Sequence, residues 1–189
     1  LAPRCQSELK HRMRLHSPLL SELPGLAHAF STREGGVSPE PQDSLSLALR
    51  GAGTPDQVRE NWVRFLAPHP VNGLAICDQV HGDGVVVVDA AGAHSGTRAD
   101  AAVTSVVDVP LAIRVADCVP VAFLGDRCVG VAHAGWRGLK AGILERTVEA
   151  MKGLDGTTPV VAVVGPHIRA CCYEFGDADL DDLTHRFGS

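Results

Sequence analysis

Three short segments of this chain each end a run of apolar residues with a side chain that can bind a metal. They are Gln79-Val80-His81-Gly82, Ala116-Asp117-Cys118-Val119-Pro120 and His133-Ala134-Gly135-Trp136-Arg137-Gly138. If the strands that carry them are neighbours, His81, Cys118 and His133 converge. Two imidazoles and a thiolate suit zinc, and three protein ligands leave the fourth tetrahedral position open, as in catalytic sites. Zinc there would hold Cys118 as thiolate and polarise a bound group. The separations of 37 and 15 residues match no local zinc-finger spacing. On spacing alone the metal signal is weak, and hydrogen-bonded structural histidines with a core-filling cysteine are the commoner reading.

The third segment carries a second kind of chemistry. It joins an apolar strand to a helix through glycine, a junction whose backbone N–H groups can face an anion. Arg137 adds a planar fork suited to phosphate or carboxylate, and Gly135 and Gly138 allow close approach. A tight turn, with Trp136 in the core and Arg137 on a surface carboxylate, explains the same residues. Arg33, beside Ser31 and Thr32, is a second candidate anion contact or a solvated loop arginine. Asp100 and Asp117 are candidates to orient a ligand histidine from behind, though each also suits a cap or turn. His167 and Glu174 are further polar candidates near the end of the chain, and the adjacent Cys171 and Cys172 read as structural.

These residues need a scaffold, and the composition supplies one. The 189 residues are 45% hydrophobic and 21% charged, enough to bury a core, with only 4% aromatic. A net charge of -5 argues against nucleic-acid binding. No apolar run reaches the length of a membrane helix. Six cysteines at irregular spacing (5, 77, 118, 128, 171 and 172) do not form a disulfide framework. The basic start lacks an apolar h-region, so a reduced, cytoplasmic protein is expected. No long apolar surface stripe is evident, which makes a monomer the expectation.

Residues 1–17 read as a flexible leader, and 18–189 as a single domain. Strands are expected at 26–30, 74–77, 85–89, 101–106, 111–115, 119–124, 128–132 and 159–164. Helices are expected from Thr54-Pro55, with Thr54 as cap, to before Pro68; from about Leu139 to Lys152, with Gly153 as the stop; and from Asp177 to Phe187. Runs of strands with few helices favour an α+β fold with mixed sheets.

The motifs occur in the order of a known family. With His28-Ala29-Phe30-Ser31-Thr32-Arg33, Gly35-Gly36-Val37-Ser38, Ala99-Asp100-Ala101 and Cys172-Tyr173-Glu174-Phe175-Gly176, the chain resembles the YfiH or laccase-domain family from about Pro18 to Gly176. The resemblance implies zinc ligation by His81, Cys118 and His133. It also implies a fold of two packed mixed β-sheets flanked by helices, in α/β/β/α layers. The implied activity is purine nucleoside phosphorylase, on adenosine, inosine, guanosine and methylthioadenosine with phosphate, and adenosine deaminase. Phosphorolysis needs phosphate held against the ribose anomeric carbon, a task for Arg137 and Arg33; metal-activated water would suit deamination. Ser46 and Ala48 replace an asparagine and a glycine usual in the family, and His167 stands where a small residue is common. The family's members continue with a further C-terminal segment, so 18–189 is expected to be either a shortened domain or a fragment. Other readings are a copper-dependent polyphenol oxidase, a hydrolase using Cys118 with a histidine base, and a non-catalytic metal-binding protein. An oxidase with several coppers needs many histidines, and two of the nine lie in the strong motifs.

Overall fold

The structure, a computed structural model, describes residues 12–48, 53–156 and 161–188. Cys5 and most of the expected leader lie outside the described residues, as do Pro159 and Val160 of the last expected strand. The chain comprises two compact units, Leu1–Val71 and Asn72–Ser189. The fold is α+β, as expected.

In the first unit, Arg14 and Leu15, expected in the leader, form strand β1 (Arg14–Leu15), which pairs antiparallel with β2 (Phe30–Ser31). Helix α1 (Pro18–Ser21) lies between them. Helix α2 (Pro55–Leu66) starts as its sequence dictates. The Thr54 side chain accepts from the Gln57 N–H, the Gln57 side chain accepts from the Thr54 N–H, and Pro55 fills a position whose N–H would have no helical partner. Asn61 on α2 is fully buried. Its amide donates to Ser38 Oγ (2.8 Å) and to the carbonyls of Ser44 and Ser46, and its oxygen accepts from the Val37 N–H (2.8 Å).

The second unit is built on a five-stranded sheet. Its strands are β4 (Val85–Val87), β5 (Ala101–Thr104), β7 (Val119–Leu124), β8 (Val129–Ala134) and β9 (Val161–Val164), in the order β4-β5-β8-β7-β9. β4 and β5 are parallel and the other pairs antiparallel, so the sheet is mixed. A second, two-stranded parallel pair joins β3 (Ala75–Ile76) to β6 (Leu111–Ala112). Alternation along β5 divides the core. Ala101 and Val103 face one way, into a cluster with Phe123, Ile143 and Met151, which covers the sheet with helix α4 (Ile143–Asp155). Ala102 faces the other way, with Ala75, Cys77, Val88 and Ala99, toward the β3–β6 pair. The layers of this unit are therefore helix, mixed sheet and strand pair.

The single helix expected from Leu139 to Lys152 is two. Helix α3 (Trp136–Ala141) ends at Gly142, whose left-handed backbone (φ 93°) caps it and starts α4. Gly153 does not stop α4, which runs to Asp155; Gly156 (φ 74°) supplies the left-handed cap. Helix α5 (Asp177–Phe187) matches its expected bounds, and its Asp182 pairs with Lys140 on α3.

Candidate metal centre

Register brings the chemistry to one end of the sheet. β8 ends as β4, β5 and β7 begin, because β8 runs antiparallel to β5 and β7, and β4 runs parallel to β5. Ala101 pairs with Ala132, which sets Asp100, just before β5, beside His133. Val119 pairs with Ala134, which sets Cys118, just before β7, beside the same turn. His81 arrives on the loop that leads into β4. The three candidate ligand atoms lie within 4.8 Å of one another, and the His81 and His133 rings meet edge to face with centroids 4.7 Å apart. Among the described residues this is the only group of three or more potential ligands so placed.

Asp100 organises the group from behind. It is fully buried and accepts from three successive backbone N–H groups: Val80 (3.1 Å), His81 (2.9 Å) and Gly82 (2.8 Å). His81 takes the left-handed conformation (φ 59°), which costs a non-glycine residue about 1–3 kcal/mol and closes the loop into a concave nest around the carboxylate. The same carboxylate lies 2.8 Å from His133 Nδ1, and the Asp100 carbonyl accepts from the His133 N–H at 2.7 Å. Burial raises the Asp100 pKa, but the hydrogen bonds from His133, Gly82, Val80 and His81 outweigh it and hold the group below its ordinary value. An ionised carboxylate only accepts, so Nδ1 carries the proton and Nε2 keeps its lone pair for a ligand. Burial lowers the His133 pKa, against the opposing pull of Asp100, and favours this neutral form.

Burial raises the Cys118 pKa, with the Asp117 and Asp100 charges adding to it, so the thiolate here calls for a cation beside it. Two imidazoles and a thiol fit zinc, and they also fit copper. The cluster grades from buried His133 through Cys118 to exposed His81, leaving one side accessible.

The other expected site residues divide. Gly135 is buried against the cluster: a Cβ there would stand 3.0 Å from the His81 ring and 3.2 Å from Cys118 Sγ. Gly138 packs α3 onto the His81 loop, where a Cβ would stand 2.7 Å from the Gly82 carbonyl oxygen. Arg137 is exposed and stacks its guanidinium over the Trp136 ring at 4.2 Å. Trp136 in turn meets Phe175 edge to face at 5.5 Å. Arg33 is tied within its own unit, with its guanidinium on the Asp43 carboxylate (3.0 Å) and the Asp43 carbonyl (2.7 Å). Asp117 is exposed, and its carbonyl accepts from the Ile168 N–H at 3.0 Å. His167 Nδ1 lies 2.9 Å from the Gly165 carbonyl oxygen.

Gln79 is a positioning residue that its residue type alone does not reveal. Its amide accepts from the Arg114 N–H (2.8 Å) and donates to the Arg114 carbonyl (2.7 Å), fastening the start of the His81 loop to the segment before Cys118. Its place two residues before His81 is the one signal the sequence offers.

A family profile described as multi-copper polyphenol oxidoreductase laccase matches residues 27–188. The purine nucleoside phosphorylase YfiH of Escherichia coli is 37% identical over 166 residues, covering 86% of this chain and 67% of that protein. A purine nucleoside phosphorylase of Deinococcus radiodurans is 42% identical over 168 residues, covering 85% of this chain and 64% of that protein. The crystal structure of YlmD from Geobacillus stearothermophilus superposes with a TM-score of 0.79 at 30% identity, covering 94% of this chain and 70% of that one. A YfiH protein of Bacillus licheniformis gives 0.75 at 30% identity, with 82% and 63% covered. The chain thus spans about two thirds of the length of the relatives it matches.

Proposed function

This chain belongs to the family described as multi-copper polyphenol oxidoreductase laccase, and we propose that it is a zinc-dependent purine nucleoside phosphorylase that also deaminates adenosine. The observation that carries the reading is the convergence of His81, Cys118 and His133 over the buried Asp100 carboxylate. The names of the curated relatives supply the substrate class: a purine nucleoside (adenosine, inosine, guanosine or methylthioadenosine) and phosphate.

Zinc, held by His81, Cys118 and His133, supplies a fixed positive charge and Lewis acidity when bound. The rest falls to the chain's own groups. Asp100 keeps the His133 proton on Nδ1 and holds the His81 loop in place. Gly135 keeps the side of the cluster clear. Arg137, at the start of α3, binds phosphate and orients it toward the anomeric carbon, with the backbone of the Gly135–Gly138 segment open to the same anion. In phosphorolysis the phosphate oxygen forms a bond to the anomeric carbon as the bond to the purine nitrogen breaks, and the base leaves with a proton.

We place the protein in the cytoplasm as a monomer. The described cysteines form no disulfide, and no described helix is long and apolar enough to cross a membrane. A second reading, a copper-dependent polyphenol oxidase, rests on the family description. A multi-copper centre needs several ligand groups, and the described residues offer one.

Metal analysis and product identification test the proposal together. One zinc per chain, with adenine and ribose 1-phosphate from adenosine plus phosphate and inosine from adenosine alone, is the expected result. Several coppers per chain with phenol oxidation and no purine release would overturn it.

A further inference from the structure

We propose that Cys171 and Cys172 form a chelating dithiol for a trivalent, thiophilic metalloid, an organoarsenical being the simplest member of that class. The pair is distinct from the cluster, whose ligands are His81, Cys118 and His133. Both cysteines are exposed, neither is in a disulfide, and their sulfurs lie 3.4 Å apart. A disulfide between them is disfavoured by the backbone. Consecutive Cα atoms are about 3.8 Å apart, below the roughly 4.4–6.8 Å span of ordinary disulfides.

A single bridging atom needs no such closure. With bonds of about 2.3 Å to each thiolate, sulfurs 3.4 Å apart subtend about 95° at that atom. This is close to the angle at a pyramidal trivalent centre and narrower than the roughly 109° of tetrahedral zinc.

The surrounding turn presents the two sulfurs together. The N–H groups of Cys172 (2.9 Å) and Tyr173 (3.1 Å) both donate to the Arg169 carbonyl, and the Ile168 N–H donates to the Asp117 carbonyl at 3.0 Å. Tyr173 then meets Phe175 with ring centroids 5.1 Å apart, which fixes the far side. A pair held this way loses little freedom on chelation.

The chemistry balances without an oxidant. Two sulfur–arsenic bonds form and two arsenic–oxygen bonds of the hydrated arsenical break. The thiol protons leave with those oxygens as two waters, and arsenic stays trivalent.

The test is phenylarsine oxide added to the full chain, followed by intact mass and peptide mapping after iodoacetamide treatment. One adduct per chain is expected, with Cys171 and Cys172 both protected from alkylation and the adduct removed by a small competing dithiol. Cys171→Ser and Cys172→Ser, folded as judged by circular dichroism, should each lower the affinity about 100-fold, the scale of gain from a second tethered contact. Cys118→Ala should still take up the arsenical. Wild-type affinity in either serine variant, no adduct on wild type, or an adduct mapped to Cys118 would each overturn the proposal.

Discussion

His133 Nδ1 stands 2.8 Å from Asp100 Oδ1, and both side chains are buried. The contact decides which imidazole nitrogen faces the cluster, while the same carboxylate draws in three N–H groups of the His81 loop. Asp100→Asn keeps the shape but loses the charge, and its NH2 group would confront donors. Zinc affinity should fall about 10–100-fold, the usual cost of losing a carboxylate behind a ligand histidine. Competition with a chromophoric chelator measures this, and an unchanged affinity would show that Asp100 does not tune the site.

Two glycines of α3 and its cap separate site from fold. Gly135→Ala suits the backbone (φ −69°, ψ 157°), yet its methyl would crowd His81 and Cys118. It should impair metal binding and turnover with little change in Tm. Gly138→Ala should instead lower stability by about 1–3 kcal/mol, because its methyl meets the Gly82 carbonyl. Thermal denaturation of the metal-free proteins distinguishes them; equal losses of Tm would contradict the division.

Asn61 anchors four backbone and side-chain partners from residues 37–46 onto α2. Asn61→Ala strands the part-buried Val37 N–H and Ser46 carbonyl, while the Ser44 carbonyl keeps the Ser38 N–H, and should cost about 2–4 kcal/mol. Urea unfolding reads the loss, and a change under 0.5 kcal/mol would mean that water replaces the amide.

Cys128 donates to the Asp155 carboxylate at 3.1 Å. Burial, then the hydrogen bond and charge of Asp155, push its pKa from 9.0 to about 12. Below pH 9 the thiol is protonated in folded and unfolded chains alike, and its contribution is complete. Between pH 9 and about 12 the unfolded chain loses the proton first, so stability falls as pH rises. Cys128→Ser keeps a donor without titrating in this range and should flatten the fall. Urea midpoints at pH 8 and pH 10.5 for both proteins check it, and parallel slopes would refute the assignment.

Much of the site was legible because each ligand stands at a strand end marked by glycine or proline, and strand runs such as Val119–Leu124 carry strong β propensity. Spacing could not say that the strands would be neighbours. The β5–β8–β7 register decides that, and it depends on long-range packing. Asp100 was readable as an orienting carboxylate, whereas Asp117, next to Cys118, looked equivalent until its exposure separated the two. The break at Gly142 was missed because apolar residues keep helical spacing across it. The left-handed cap depends on a conformation that periodicity does not encode. Gln79 acts through backbone groups of Arg114, a contact between segments 35 residues apart in sequence.

The most direct test of the central claim is phosphate-dependent release of purine by the zinc-loaded chain. Wild type should release free base from adenosine or inosine at a rate that rises with phosphate and yields ribose 1-phosphate in equal amount. Cys118→Ala and His81→Ala should reduce that rate by at least about 100-fold, as loss of a group acting in the transition state does. Base release that ignores phosphate, or that survives both substitutions, would contradict the account.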